Sequence, residues 1–283
     1  MNLSRLRSGA LLAACLAGLA SAAAAQAPSR PELVFTVAVG EASGGQLWTV
    51  DPQIALAVRG PDTVALGRRL LRPSLVAAFG AKLYLSPHLG YTLEATFLGL
   101  ATESQCTALA PFALDTEHAN QQACTAIQNK HTYTNAVALQ GGLTARTTLG
   151  RGAQGYLRAV GGVALLGGSF VTTDGPILVS AAADSLGPGL AIRSFLDEGT
   201  SRTLTWVATI AGGLTMALGP SYNVRLEMGE VFIALPVPGG PGDVANDPQH
   251  LLPVAPVRWR TFRLPSLTLG LDVLLERRSV RRY

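Results

Sequence analysis

Seven charged side chains each interrupt an apolar, alternating stretch of this chain: Lys82, Glu94, Arg146, Arg158, Arg225, Glu227 and Asp272. Four are cations and three are anions. Gathered in a confined place, such a set does one of two things. It neutralises itself as ion pairs, because an unpaired buried charge is costly, or it lines a narrow or gated polar path. Arg225 and Glu227 stand two residues apart on one strand face, so their partners are expected from neighbouring strands. Groups for covalent chemistry are scarcer. The four histidines, His88, His118, His131 and His250, have no serine and carboxylate in register, and no G-x-S-x-G, H-E-x-x-H or G-x-x-x-x-G-K-[ST] motif is present. The expectation is a protein that is not an enzyme and takes no cofactor.

Of the three cysteines, Cys106 and Cys124 fall in one long linker and are expected to form a disulfide, constraining it by about 3 kcal/mol in the chain-entropy view. A zinc site using them with nearby His118 and His131 is disfavoured, because the close C-x2–4-C and H-x3–5-H spacings are missing. No metal is expected.

The elements that position these residues follow from parity. Leu267, Leu269, Leu271, Val273 and Leu275 share one face of a run whose other face is Thr268, Gly270, Asp272 and Leu274. Leu75 to Leu85 and Leu204 to Leu218 alternate in the same way, greasy on one side and small or polar on the other. A period of two is the mark of a strand. Eight such strands are predicted near 32–40, 72–85, 90–100, 132–147, 154–166, 202–218, 222–231 and 264–276, each meeting the 9–11 residues, roughly, that a tilted strand needs to cross a bilayer. A second alternating stretch at Ile54, Leu56 and Val58 either extends the structure above the membrane or adds two strands, making ten.

The connections alternate too. Residues 86–89, 148–153 and 219–221 are tight Gly-, Pro- and Ser-rich turns, whereas 41–71, 101–131, 167–201 and 232–263 are long; the last of these turns Pro/Gly-rich from Pro236 to Pro248 and is expected to be irregular. Short inner turns and long outer loops describe an all-β fold: a closed antiparallel up-and-down transmembrane barrel. Tyr91 and Tyr222 would mark its inner interface and Tyr133, Trp206 and Phe262 its outer one. A soluble barrel with the greasy face inward is the alternative, but its exterior would be Gly, Ala and Thr with about one charge per strand.

Composition agrees. The 283 residues are 48% hydrophobic and only 14% charged, against about 25% charged in soluble domains, and beyond the N-terminus no apolar run approaches the roughly 20 residues of a spanning helix. Residues 1–25 read as a secretory signal peptide, with Arg5 and Arg7 first, an apolar centre, and Ala23-Ala24-Ala25 before the cut, leaving 26–283 as the barrel domain. Leu12-Ala13-Ala14-Cys15 offers the competing reading of lipoprotein processing at Cys15. Loss of Arg5 and Arg7 lowers the formal charge from +4 to +2, with no dense basic stripe for nucleic acid; Arg277, Arg278, Arg281 and Arg282 read as a hydrated tail.

The hairpin Leu83-Tyr84-Leu85-Ser86-Pro87-His88-Leu89-Gly90-Tyr91-Thr92-Leu93-Glu94-Ala95 and the segment Leu218-Gly219-Pro220-Ser221-Tyr222-Asn223-Val224-Arg225-Leu226-Glu227 resemble periplasmic hairpins of small bacterial outer-membrane β-barrel proteins of the OmpA, OmpX and OmpW type. The resemblance implies the cell outer membrane of a Gram-negative-type bacterium, with membrane lipid and the barrel assembly machinery as partners. That family usually ends its last strand on an aromatic residue. Tyr283 supplies one, but Arg281, Ser279 and Arg277 before it in the same parity are polar. The expected function is a non-enzymatic scaffold whose loops 41–71, 101–131, 167–201 and 232–263 contact an extracellular ligand or surface. The alternatives are a porin-like channel for polar or amphipathic solutes through the charged lumen, and an enzyme acting on envelope lipid.

Overall fold

Alternating sequence becomes strand throughout the computed structural model, which describes residues 31–57, 60–70, 73–109, 119–150, 152–179, 189–198, 203–244 and 253–275. The signal segment with Cys15, His118, His250, Val58, the tail arginines and Tyr283 lie outside them. In chain order the elements are β1 (Glu32–Ala42), β2 (Gln46–Ala57), β3 (Gly60–Leu70), β4 (Ser74–Tyr84), β5 (Leu89–Ala108), α1 (Ala119–Ile127), β6 (His131–Gly150), β7 (Ala153–Leu166), β8 (Thr173–Val179), β9 (Gly189–Leu196), β10 (Leu204–Ala217), β11 (Tyr222–Pro238), β12 (Asp243–Val244), β13 (Pro253–Val254) and β14 (Val257–Leu275).

Eight strands close a ring in the order β1, β4, β5, β6, β7, β10, β11, β14 and back to β1, every pairing antiparallel. Closure leaves no sheet edge within the ring, which lipid requires because it offers backbone groups no hydrogen-bond partner. β2 and β3 are strands but do not enter the ring. β3 pairs with the outer end of β5, from Val64↔Ala108 to Leu70↔Thr102, so this hairpin raises the wall above the membrane rather than making ten staves.

The greasy face points outward. Phe79, Leu93, Leu139, Leu157, Ile210 and Leu269 are each more than half exposed, while Thr36, Thr96, Gln140, Thr209 and Thr268 from the opposite parity are buried. That orientation removes the soluble-barrel alternative. Small residues let the lumen-facing backbone bend tightly. An added Cβ on Gly162 would overlap the carbonyl of Leu139, and one on Gly142 that of Ala159. Glycine at such close approaches permits the strong coiling of a narrow barrel.

Above the lipid belt the outer segments do not hang as loops. β5, β6, β11 and β14 run on past the membrane, and β11 pairs with β14 as far as Pro238↔Val257. The expectation of an irregular 232–263 is therefore corrected over 232–238 and 257–263: Pro236 and Pro238 sit in a strand that is paired there to β14 alone, where a missing N–H costs nothing. α1 packs on β5, β8 and β2, held by the Cys106–Cys124 disulfide with Cα atoms 5.3 Å apart. An apolar cluster continues unbroken from the outer half of the lumen (Leu98, Ala138, Ala164, Val207, Leu264) into this cap (Leu47, Trp48, Ile127, Phe170, Leu235).

Candidate functional site

Strand parity carries the seven singled-out charges to the lumen side, and the strand directions bring six of them to the inner half. β4, β10 and β14 descend to the inner turns at residues 85–88 and 218–221 while β5, β7 and β11 rise from theirs. Lys82, Glu94, Arg158, Arg225, Glu227 and Asp272 are all buried there.

They form two linked clusters. Lys82 Nζ lies 3.2 Å from Asp272 Oδ2, whose other oxygen accepts from Thr36 Oγ1 at 2.6 Å. Arg158 donates through Nε and Nη2 to both oxygens of Glu227, at 2.8 and 2.9 Å, and through Nη1 to Glu94 Oε1 at 2.6 Å. Glu227 Oε2 also accepts from Tyr156 OH and from Arg225 Nη2, both at 2.8 Å. The Tyr156 ring joins the clusters, with the Lys82 ammonium 5.4 Å and the Arg225 guanidinium 5.3 Å from its centroid. Three cations face three carboxylates.

Between-strand partners occur as expected, but each skips a strand: Lys82 on β4 reaches β14 across β1, and Arg158 on β7 reaches Glu94 across β6 and Glu227 across β10. The expectation that Arg225 and Glu227 find their partners on neighbouring strands needs one correction, because they also pair with each other at 2.8 Å. The flexible arginine reaches along its own strand to the Oε2 that Arg158 also holds.

Arg146 sits apart, at the inner mouth. It makes a bidentate pair with Glu32 at 2.9 and 2.6 Å, lies 3.6 Å over the Tyr84 ring, and donates from Nε to the Pro87 carbonyl at 3.0 Å. His88, in the inner turn, faces the Arg146 carbonyl through Nδ1 at 3.1 Å. Glu32 was not among the sequence candidates although it has the same parity as Val34 and Thr36. Tyr156 and Gln140, which bridges Thr96 and Thr209 above the charges, were missed too.

Little space remains between the charges, although a recess of about 90 Å³ opens beside the inner turn at Gly152, lined by Gln154, Thr215 and Asn223. The cavity bounded by Lys82, Tyr84, Arg146, Tyr156 and Asp272 holds about 10 Å³, room for one water at most. Above it come Thr96, Gln140 and Thr209, and then the apolar layer.

A second polar cluster organises the cap. Arg68, 2% exposed, donates to the carbonyls of Ser169 and Thr172 and to Thr173 Oγ1, and lies 5.7 Å over the Trp48 ring, whose Nε1 donates to the Phe170 carbonyl at 2.7 Å. Burial pulls the guanidinium down to about 10, against the attraction of Asp174 and Glu198, so it stays charged at neutral pH. Ser169 Oγ donates to Glu198 Oε2 at 2.5 Å and accepts from the Val171 and Thr172 amides. Burial pushes the Glu198 carboxyl above its ordinary range, opposed by the Ser169 hydrogen bond. These bonds join Ser169 and Glu198 into a turn, with no histidine beside them among the described residues. Of the remaining histidines His131 opens β6, and no group of three metal-ligating side chains occurs among the described residues.

No protein-family model matches the chain, and no curated protein matches it. Among solved structures it is similar to Ail, the attachment invasion locus protein of Yersinia pestis, solved with the heparin analogue sucrose octasulfate (7% identity, 87% of this chain and 100% of that one, TM-score 0.38). It is also similar to Neisserial surface protein A (11% identity, 88% and 99%, TM-score 0.36) and to the outer membrane protein AlkL (8% identity, 90% and 95%, TM-score 0.39). What makes the chain a membrane barrel is its own geometry: a closed ring, an exposed aliphatic belt and a polar lumen.

Proposed function

From the premise of an outer-membrane-type β-barrel, we propose that this protein is a sealed integral component of the outer membrane, a non-enzymatic scaffold that presents a folded cap to the outside. The observation that carries this reading is the filling of the lumen in two layers. The inner half is occupied by mutually paired charges and the outer half by the apolar cluster that runs into the cap. A polar solute would have to displace paired charges and then cross a hydrocarbon layer. A greasy solute would meet the charges. In an eight-stranded barrel the interior is just wide enough for side chains to fill, and the two layers supply side chains for both halves.

Function is then assigned to the outer surface, where long segments on a rigid scaffold are placed to meet partners. The test is conductance of the refolded protein in a planar bilayer, beside R225A/E227A. Silence is the expected result in the folded wild type, and in the double variant as well, because the apolar layer above the charges is untouched. Discrete wild-type openings that the double variant alters would refute the sealed reading and make the lumen charges a solute path.

A further inference from the structure

The wall of the barrel is incomplete just above the lipid belt. β1 leaves β14 at Ala42↔Ser266, with one last bond from the Ser43 amide to the Pro265 carbonyl, and turns through Gly44 and Gly45 into β2. Pro265 turns its carbonyl toward the β1 side and Leu274 its amide toward β11. Odd-numbered residues of β14 therefore direct their backbone groups toward the β1 side. From Arg263 to Val257 no strand among the described residues pairs with that edge. The gap is a notch of about 280 Å³ lined by Gly45, Leu70, Phe262, Arg263, Leu264 and Pro265.

Its height is fixed by the exposed belt. On β14 the belt runs from Leu275 up to Leu267, and on neighbouring β11 its last exposed apolar residue is Met228, at 71%, with half-buried Phe232 above it. The next outward position on β14 after Pro265 is Arg263, level with Phe232 on β11. From there the strand reads Arg258-Trp259-Arg260-Thr261-Phe262-Arg263, all of it exposed except half-buried Phe262. The Arg260 guanidinium lies 5.4 Å over the Phe262 ring that lines the notch. Among the described residues only Arg263 of these arginines has an acidic partner, Glu230, and it keeps 66% of its side chain exposed. Apolar walls at the upper edge of a lipid belt, rimmed by Arg258 and Arg260 about 7 Å apart on the Phe262 face of β14 and by Arg263 on its outward face, suit an amphiphile whose anionic group lies at that level, against the open edge that both faces share.

We propose that this notch is a binding site for the phosphate headgroup of an anionic outer-leaflet lipid. Arg260 and Arg263 take the phosphate, Arg258 adds attraction above it, and Phe262, Leu264 and Leu70 receive the first part of the apolar tail. The arginines also discourage a foreign strand from docking on the free edge, since charged side chains are a common protection there.

The test is native mass spectrometry of the full chain released from detergent micelles, titrated with short-chain phosphatidic acid, short-chain phosphatidylcholine or inorganic phosphate. Gel mobility without heating verifies that every variant is folded. Wild type is expected to take up phosphatidic acid in preference to phosphatidylcholine. R260A and R263A should each weaken uptake about fivefold, the effect of one cation near an anionic surface. E230Q, which releases Arg263, should strengthen it, and K130A, which removes an exposed cation between α1 and β6, away from the notch, should leave it unchanged. Equal uptake of the two lipids, arginine variants indistinguishable from wild type, saturation by inorganic phosphate alone, or dimers in place of lipid adducts would each overturn the proposal.

Discussion

Replacing Glu227 with glutamine isolates the energetic role of the lumen network. Glu227 is the carboxylate on which Tyr156, Arg158 and Arg225 converge. In E227Q, Arg158 keeps Glu94, but Arg225, 1% exposed, loses the acid that neutralises it, and the six-charge lumen goes from balanced to one positive charge in excess. Breaking a buried pair by removing one partner costs about 3–5 kcal/mol. The amide oxygen can still accept from Tyr156, so about 3 kcal/mol, the lower end of that range, is expected here. R225M/E227Q removes both charges, restores the balance and fills most of the volume. It should cost less than the sum of the single changes, with a coupling of about 2 kcal/mol. The assay is urea unfolding from phosphatidylcholine vesicles, followed by Trp206, which faces lipid and is 47% exposed to the exterior, with transition slopes compared to verify that the unfolded states match. An E227Q loss below about 1 kcal/mol, or strictly additive single and double variants, would refute the claim that the lumen is a mutually compensating ionic plug.

Three further outcomes follow from other parts of the molecule. Arginine in place of Leu269, mid-belt and 56% exposed, should cost about 2–4 kcal/mol in the same assay, and an insertion yield and stability equal to wild type would show that Leu269 does not face lipid. C106S/C124S should leave the barrel intact but open 101–131 to protease at lower concentrations than wild type requires, since α1 is then held to β5 by packing alone; unchanged digestion would mean that the disulfide does not stabilise the cap. Glu198 titrates above its unfolded value because it is buried. Its contribution is thus fully present below the ordinary carboxylate range and is lost as pH rises through its raised folded value. Amide exchange at Val171 and Thr172, which bond Ser169 Oγ, should slow as pH falls through that window, after correction for intrinsic exchange rates, and E198Q should abolish the dependence.

The ring was legible in the sequence because a narrow membrane barrel leaves each side chain only two environments, and parity reports which one. Leu269 and Asp272 declare their faces through their neighbours alone. What parity does not carry is reach. The Arg225–Glu227 contact depends on where Arg158, 69 positions from Glu227, directs its guanidinium. Phe262 was expected in the outer girdle, but it has the even parity of Leu264 and packs against the core, so it is Trp259 that faces out. The cap was illegible for the same reason. Trp48 meets the Phe170 carbonyl across 122 positions, and Gln53 meets Gly242 across 189. No local pattern distinguishes such segments from loose loops, and Pro236 hides the strand that continues through it.

The strand-skipping geometry of the lumen bears on how the barrel is built. A hairpin of β4 and β5 carries Lys82 and Glu94 without Asp272 or Arg158, and even a four-stranded sheet of β1, β4, β5 and β6 satisfies neither. Glu94 therefore stays unpaired until β7 is in place and Lys82 until β14 is, although Arg225 and Glu227 already meet on β11. Partly assembled sheets meet lipid at a deficit that vanishes only when β14 reaches β1. Insertion should accordingly be concerted, with intermediates confined to places where water still reaches the inner face, and the last seam to close is the one that neutralises Lys82 through Asp272.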